Sequence, residues 1–165
     1  MTPIEAVTNA GPLIYLALVG QQNLLDRFYS RIVLPQAVYQ EVVVRGAGQP
    51  GAEETRAAAA SRRYEVVTVS NRIAVEALLD EIHVGEAEVI VSARELGIKR
   101  VLLDDRAARR KAKAMGLEVT GTIGVLLLAR EAGLPIDLKH NFDLLIQNGF
   151  RLSDHVYDTL IAAYS

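Results

Sequence analysis

The sequence contains no cysteine and no tryptophan. Without cysteine there can be no disulfide, no thiolate metal site and no cysteine nucleophile, and a reducing cytosol is the fitting environment. Aromatic residues make up only 5%, so a broad base-stacking surface is poorly supplied. Long apolar runs are missing too. Runs such as Ile123 to Ala129, with Gly124 inside it, are far too short to span a bilayer. The N-terminus shows no signal-peptide pattern. Together these features predict a cytoplasmic protein with no membrane association. An excess of positive charge is also lacking: 18 basic and 20 acidic residues give a net charge of −2. No global basic field draws in nucleic acid, so any such binding has to use a local patch.

Other chemistries are missing as patterns. Gly121-Thr122-Ile123-Gly124 is not a phosphate-binding P-loop, because no Gly-Lys-Ser/Thr follows it. His83, His140 and His155 have no metal-ligand spacing, and no Ser-His-Asp order is evident. They read as surface or packing residues. Ser92 reads as a helix residue and Ser153 as an N-cap.

What remains is a globular composition, half hydrophobic and 23% charged, in one domain spanning residues 1–165. Short β-forming runs alternate with helical patterns. Strands are predicted at Ile4–Thr8, Arg31–Leu34, Tyr64–Val69, Val101–Leu103 and Leu117–Thr120. Helices are predicted after Pro12, over Asn23–Tyr29, from Pro35 through Val44, over Glu53–Ser61, Asn71–Leu79 and Gly85–Leu96. Further helices follow from Arg106, from Thr122 through Arg130, over Asp137–Asn148 and over Ser153–Ala163. Such alternation predicts an α/β fold with right-handed crossovers.

The stretch Val101-Leu102-Leu103-Asp104-Asp105 organises the rest. A buried strand ends in two carboxylates, and a basic helix follows. In parallel α/β sheets ligands bind beyond the carboxyl ends of the strands. Adjacent carboxylates repel, so a pair kept at that edge points to a cation. The bland alternative makes Asp105 a helix N-cap and Asp104 a solvated loop residue. Asn9 ends the first strand, Glu86 lies in the first turn of the helix feeding the central strand, and Glu41 borders the apolar Val38 and Val42. Hard oxygen ligands around one edge suit Mg²⁺ or Mn²⁺, whose usual chemistry here is phosphoryl transfer. Arg106, Arg109, Arg110 and Lys113 recur on one helix face beginning beside Asp105. That stripe is either an RNA-phosphate contact or a solvated face. Thr120 and Thr122 flank Gly121 beyond a strand end, where they either contact water or phosphate or serve the turn.

Five segments in order carry a family resemblance: Val7–Ile14, Leu34–Glu41, Gly85–Glu88, Leu103–Arg109 and Thr120–Leu126. Together they resemble the PIN-domain superfamily. More narrowly, they are similar to an uncharacterised prokaryotic branch related to VapC-type toxins, which the closing Gly149–Asp154 also fits. The resemblance implies a three-layer α/β/α fold around a central, mainly parallel sheet of four to five strands. It implies a metal-dependent ribonuclease, with Glu41, Glu86, Asp104 and Asp105 as catalytic acids holding one or two Mg²⁺ or Mn²⁺ ions together with Asn9. Of the pair, Asp105 is favoured as the direct ligand. An RNA substrate, an antitoxin protein and a homodimer are the partners it implies. One position departs from the pattern: PIN nucleases usually have aspartate where this chain has Asn9. An amide oxygen can ligate Mg²⁺ but brings no charge. A catalytically weakened PIN module that binds RNA or a protein is therefore a competing reading, and the paired aspartates at a strand end leave a phosphoacceptor domain as a third. Against the latter, Glu118-Val119-Thr120-Gly121 offers no lysine.

Overall fold

In a computed structural model that describes residues 4–165, the strands are β1 (Glu5–Thr8), β2 (Arg31–Pro35), β3 (Tyr64–Val67), β4 (Arg100–Leu102) and β5 (Glu118–Thr120). They form one all-parallel sheet in the order β3-β2-β1-β4-β5. Parallel strands buried on both faces read as unbroken apolar runs, and Ala6, Val7, Val33, Leu34, Val101 and Leu102 are all fully enclosed. The expected α/β/α fold is therefore present. The strand order also differs from the 2-1-3-4-5 order of receiver-like folds, which removes the phosphoacceptor alternative on topology.

The helices are α1 (Ala10–Leu18), α2 (Asn23–Phe28), α3 (Gln36–Tyr39), α4 (Ala52–Ala60), α5 (Arg72–Leu78), α6 (Val84–Leu96), α7 (Arg106–Ala114), α8 (Thr122–Glu131), α9 (Leu138–Gln147) and α10 (Asp154–Tyr164). The helices α1, α2, α8 and α9 pack in one group, and α5, α6 and α7 in another, with α6 lying against β1, β2 and β4. Their ends follow local chemistry: Asn71, Asp105, Asp137 and Ser153 each accept a backbone N–H of the first turn as N-caps.

One helix differs from expectation. The segment from Pro35 through Val44 is not a uniform α-helix: after Tyr39 it widens into a π-helical turn over Gln40–Val44, closed by Arg45 N–H donating to the Gln40 carbonyl at 2.8 Å. The β-branched Val42-Val43-Val44 run crowds a regular α-turn, and the wider turn relieves it. Glu41 lies in that turn.

The winding sets which strand ends share an edge. From β1 the chain moves outward to β2 and β3, then returns to the other side of β1 to build β4 and β5. The direction reverses between β1 and β4, and such a reversal opens a crevice at the strands' carboxyl ends. There Asn9 N–H donates to the Leu102 carbonyl at 3.0 Å and Leu103 N–H to the Thr120 carbonyl at 3.0 Å. The ends of β1, β4 and β5 are thus tied into one edge.

Candidate functional site

Asn9 stands first on this edge. It is the N-cap residue of α1, yet its side chain makes no capping hydrogen bond, so its amide is not committed to the turn. A methyl group added at Gly85 would stand 3.3 Å from Asn9 Oδ1 and 3.7 Å from Glu41 Oε1. The missing side chain of Gly85, in the first turn of α6, therefore leaves a cradle walled by one amide oxygen, one carboxylate oxygen and a Val38 methyl at 3.8 Å. Glu41 is itself exposed, with Val38 and Val42 buried on either side.

Glu86 follows Gly85 and is 4% exposed. Its Oε1 accepts from His83 N–H at 3.0 Å and contacts His83 Nδ1 at 3.1 Å, a capping box that closes the start of α6. Burial pushes the Glu86 carboxyl above its usual range, the His83 N–H pulls it back, and the Asp105 charge pushes it up again. The charge of Asp105 thus acts on Glu86 across the edge. Asp105 is exposed, and its Oδ2 accepts from Ala108 N–H at 3.0 Å as the N-cap of α7. Both the N-cap reading and the edge position of Asp105 hold together, because one oxygen caps the helix.

Asp104 is spent differently and is not a solvated loop residue. Its Oδ1 accepts from Thr122 N–H at 2.6 Å and its Oδ2 from the Thr122 hydroxyl at 2.7 Å. A methyl on Gly11 would lie 2.6 Å from Oδ2 and one on Gly121 2.8 Å from Oδ1, so two glycines make room for this carboxylate. Burial raises its pKa, while the two Thr122 bonds and the Arg109 charge lower it. Asp104 thereby ties the end of β4 to the start of α8. Thr122 is fully buried in this tie, and Thr120 packs its Cγ2 toward Gly124.

The basic stripe is divided. Arg109 is partly buried and its Nη1 donates to the Leu103 carbonyl at 2.8 Å, close to Asp104. Arg106, Arg110 and Lys113 are exposed. All four line a groove of about 1130 Å³ together with Asp104, Asp105 and the closing segment Gly149–Ser153. Arg151, Tyr15 and Phe150 line it too, the last two ring to ring in an edge-on pair at 5.0 Å. The sequence pattern marks Gly85 only as the start of a helix and of a family-like segment, and does not assign a site role to it, to Arg151 or to this aromatic pair. The only signal for Arg151 was its place in a closing segment already noted for family likeness.

Among the described residues no three acidic or histidine side chains are drawn together closely enough to hold a metal as they stand. The donor chemistry nonetheless fits a hard cation. Asn9 and Glu41 turn oxygens to a cradle that a single methyl would fill, Glu86 and Asp105 each keep one oxygen outside their capping bonds, and all four offer oxygen.

Three outcomes follow from this geometry. Gly85→Ala should leave thermal stability unchanged or raise it by up to about 1 kcal/mol, since alanine is the better helix former, yet should weaken Mn²⁺ binding in calorimetry. Replacing Arg106, Arg110 and Lys113 together by alanine should weaken RNA binding at every sequence and reduce the salt slope by about 2, near 0.7 per phosphate contact on a single strand. An unchanged slope in a fluorescence titration makes the stripe a solvated face. The third outcome concerns pH. The folded-state pKa of Glu86 lies above its ordinary value of 4.5. Its contribution to stability is present below that ordinary value and is lost as pH rises through the raised one. Glu86→Gln keeps the capping box, so in metal-free protein it should flatten that fall in a denaturant series.

A family model described as a PIN domain matches residues 5–165. The chain belongs to the PIN-domain family, whose fold is a nuclease fold. No curated protein matches the chain. No helix among the described residues is long and apolar enough to cross a membrane.

Proposed function

We propose that this PIN-domain chain is a divalent-metal-dependent endoribonuclease acting as a single domain in the cytoplasm. The observation that carries this reading is the Gly85 cradle between Asn9 Oδ1 and Glu41 Oε1 at the β1–β4 reversal, beside Glu86 and Asp105. Asn9, Glu41, Glu86 and Asp105 would hold Mg²⁺ or Mn²⁺. When bound, the ion supplies activation of water and neutralisation of charge on the scissile phosphodiester. Asp104, held by Thr122, keeps β4 and α8 in register behind the ligands and completes the acidic set. Arg106, Arg110, Lys113 and Arg151 would receive RNA phosphates along the groove, while Arg109 braces the Leu103–Asp104 turn. Thr120 and Thr122 belong to the supporting wall of this edge.

The finer reading places the chain with toxins of toxin–antitoxin pairs, working as a homodimer restrained by an antitoxin protein. A small neighbouring reading frame encoding a DNA-binding antitoxin would support it. A second reading has its own observation: Asn9 brings no charge, and no three acids are preassembled among the described residues. It makes the chain a PIN module with weakened catalysis that binds RNA or a protein partner. Incubating purified protein with unstructured RNA in Mg²⁺ or Mn²⁺, with EDTA as control, separates the two. EDTA-sensitive cleavage supports the nuclease. RNA binding without cleavage supports the module.

A further inference from the structure

Glu88 is a buried carboxylate that the proposed chemistry does not use. It is 5% exposed and lies on α6, beyond Glu86. Its Oε1 accepts from Ala37 N–H at 3.1 Å and its Oε2 from Arg72 Nη1 at 2.7 Å. The first of these bonds answers a local need. Pro35 is the N-cap residue of α3 and has no side-chain group to offer the first turn, so the N–H groups there lack a local partner. Ala37 finds its acceptor on another helix instead. Arg72, at the start of α5 with its side chain 51% exposed, supplies the countercharge that a buried carboxylate requires.

This bond ties the helix that leads into Glu41, one wall of the cradle, to the helix that carries Gly85. Ala37 lies one helical turn before Glu41. Glu88 lies one turn after Gly85, against which Glu41 Oε1 and Asn9 Oδ1 are placed. The π-helical turn at Gln40–Val44 gives the Glu41 segment an irregular backbone, so its position depends on how its start is anchored. We infer that Glu88 is a positioning residue: it clamps the start of α3 to α6 and so sets the distance of Glu41 from Asn9 and Glu86, with Arg72 neutralising the clamp. The inference rests on the metal reading above, because it gives Glu41 its purpose.

The test combines Mn²⁺ calorimetry with amide hydrogen exchange on the metal-free protein. Glu88→Ala should weaken Mn²⁺ binding about ten-fold, the low end of what outer-shell partners contribute, and should speed exchange over residues 36–45. Glu88→Gln keeps one acceptor for Ala37 N–H and should recover most of the exchange protection and part of the affinity. A merely structural Glu88 would lower the melting temperature of the alanine variant while the folded protein still bound Mn²⁺ as the wild type does; that result overturns the inference and leaves the metal reading standing. Where the alanine variant does not fold, the glutamine variant decides: Mn²⁺ binding about three-fold weaker than wild type, roughly half on a logarithmic scale of the ten-fold outer-shell loss, supports the clamp, and unchanged binding overturns it. A wild type that binds no Mn²⁺ overturns the metal reading and this inference with it.

Discussion

Asp105→Asn is expected to abolish metal-dependent RNA cleavage, with a loss of at least about 100-fold, beyond the ~10–100-fold typical of outer-shell partners. The fold should survive. The carboxylate's structural duty is to accept Ala108 N–H at the start of α7, and asparagine performs that duty about as well as aspartate. The change also removes the Asp105 charge that raises the Glu86 pKa, so metal-free stability should stay level or rise slightly. Cleavage, circular dichroism and thermal melting of the pure variant check the three statements. Retained Mg²⁺-dependent activity would remove Asp105 from the site.

Asn9→Asp carries the second large effect, in the opposite direction. Its side chain makes no capping bond in α1 and its oxygen borders the Gly85 cradle. A carboxylate there would place a full charge beside the ion. At an effective dielectric of about 20, two unit charges 4 Å apart are worth about 4 kcal/mol before desolvation is subtracted. Repulsion from Glu41 and Glu86 offsets part of this. A net gain of about 1.4 kcal/mol, or ten-fold tighter Mn²⁺ binding, should remain visible in calorimetry and as cleavage at lower metal. The metal-free variant should melt earlier, because the added charge has no partner until the ion arrives. Indistinguishable isotherms would mean that Asn9 does not face the metal.

How much of this was legible in the sequence depends on the range of each contact. Strand ends and caps are local, and so the edge positions of Asn9, Glu86, Asp104 and Asp105 followed from apolar runs that stop at polar residues. The N-cap of Asp105, the cap of Ser153 and the alternation of strands and helices were readable for the same reason. The π-helical turn under Glu41 was not, because a 3.6-residue apolar period survives one wide turn. The division of the basic stripe was hidden as well: helical spacing puts Arg109 with Arg106 and Lys113, but only the fold shows the Leu103 carbonyl drawing it inward. Local sequence leaves Asp104 open between a cation ligand and a solvated loop residue, and only the fold shows Thr122, eighteen residues on, holding both its oxygens. Glu88 meets Ala37 across fifty-one residues, and nothing in either local stretch announces the pairing.

Asn9, Glu41, Glu86 and Asp105 are proposed to surround one divalent-cation site at the β1–β4 reversal. The most direct measurement is a substoichiometric Mn²⁺ titration of the isotope-labelled wild type followed by nuclear magnetic resonance. A bound paramagnetic ion broadens the resonances around it whether or not the protein cleaves anything. The predicted result is early, joint loss of the Asn9 side-chain amide and of the backbone signals of Glu41, Gly85, Glu86 and Asp105, reversed by EDTA. Broadening confined to exposed acids elsewhere, such as Glu53 or Asp143, with the Asn9 and Gly85 signals intact at stoichiometric Mn²⁺, would contradict it.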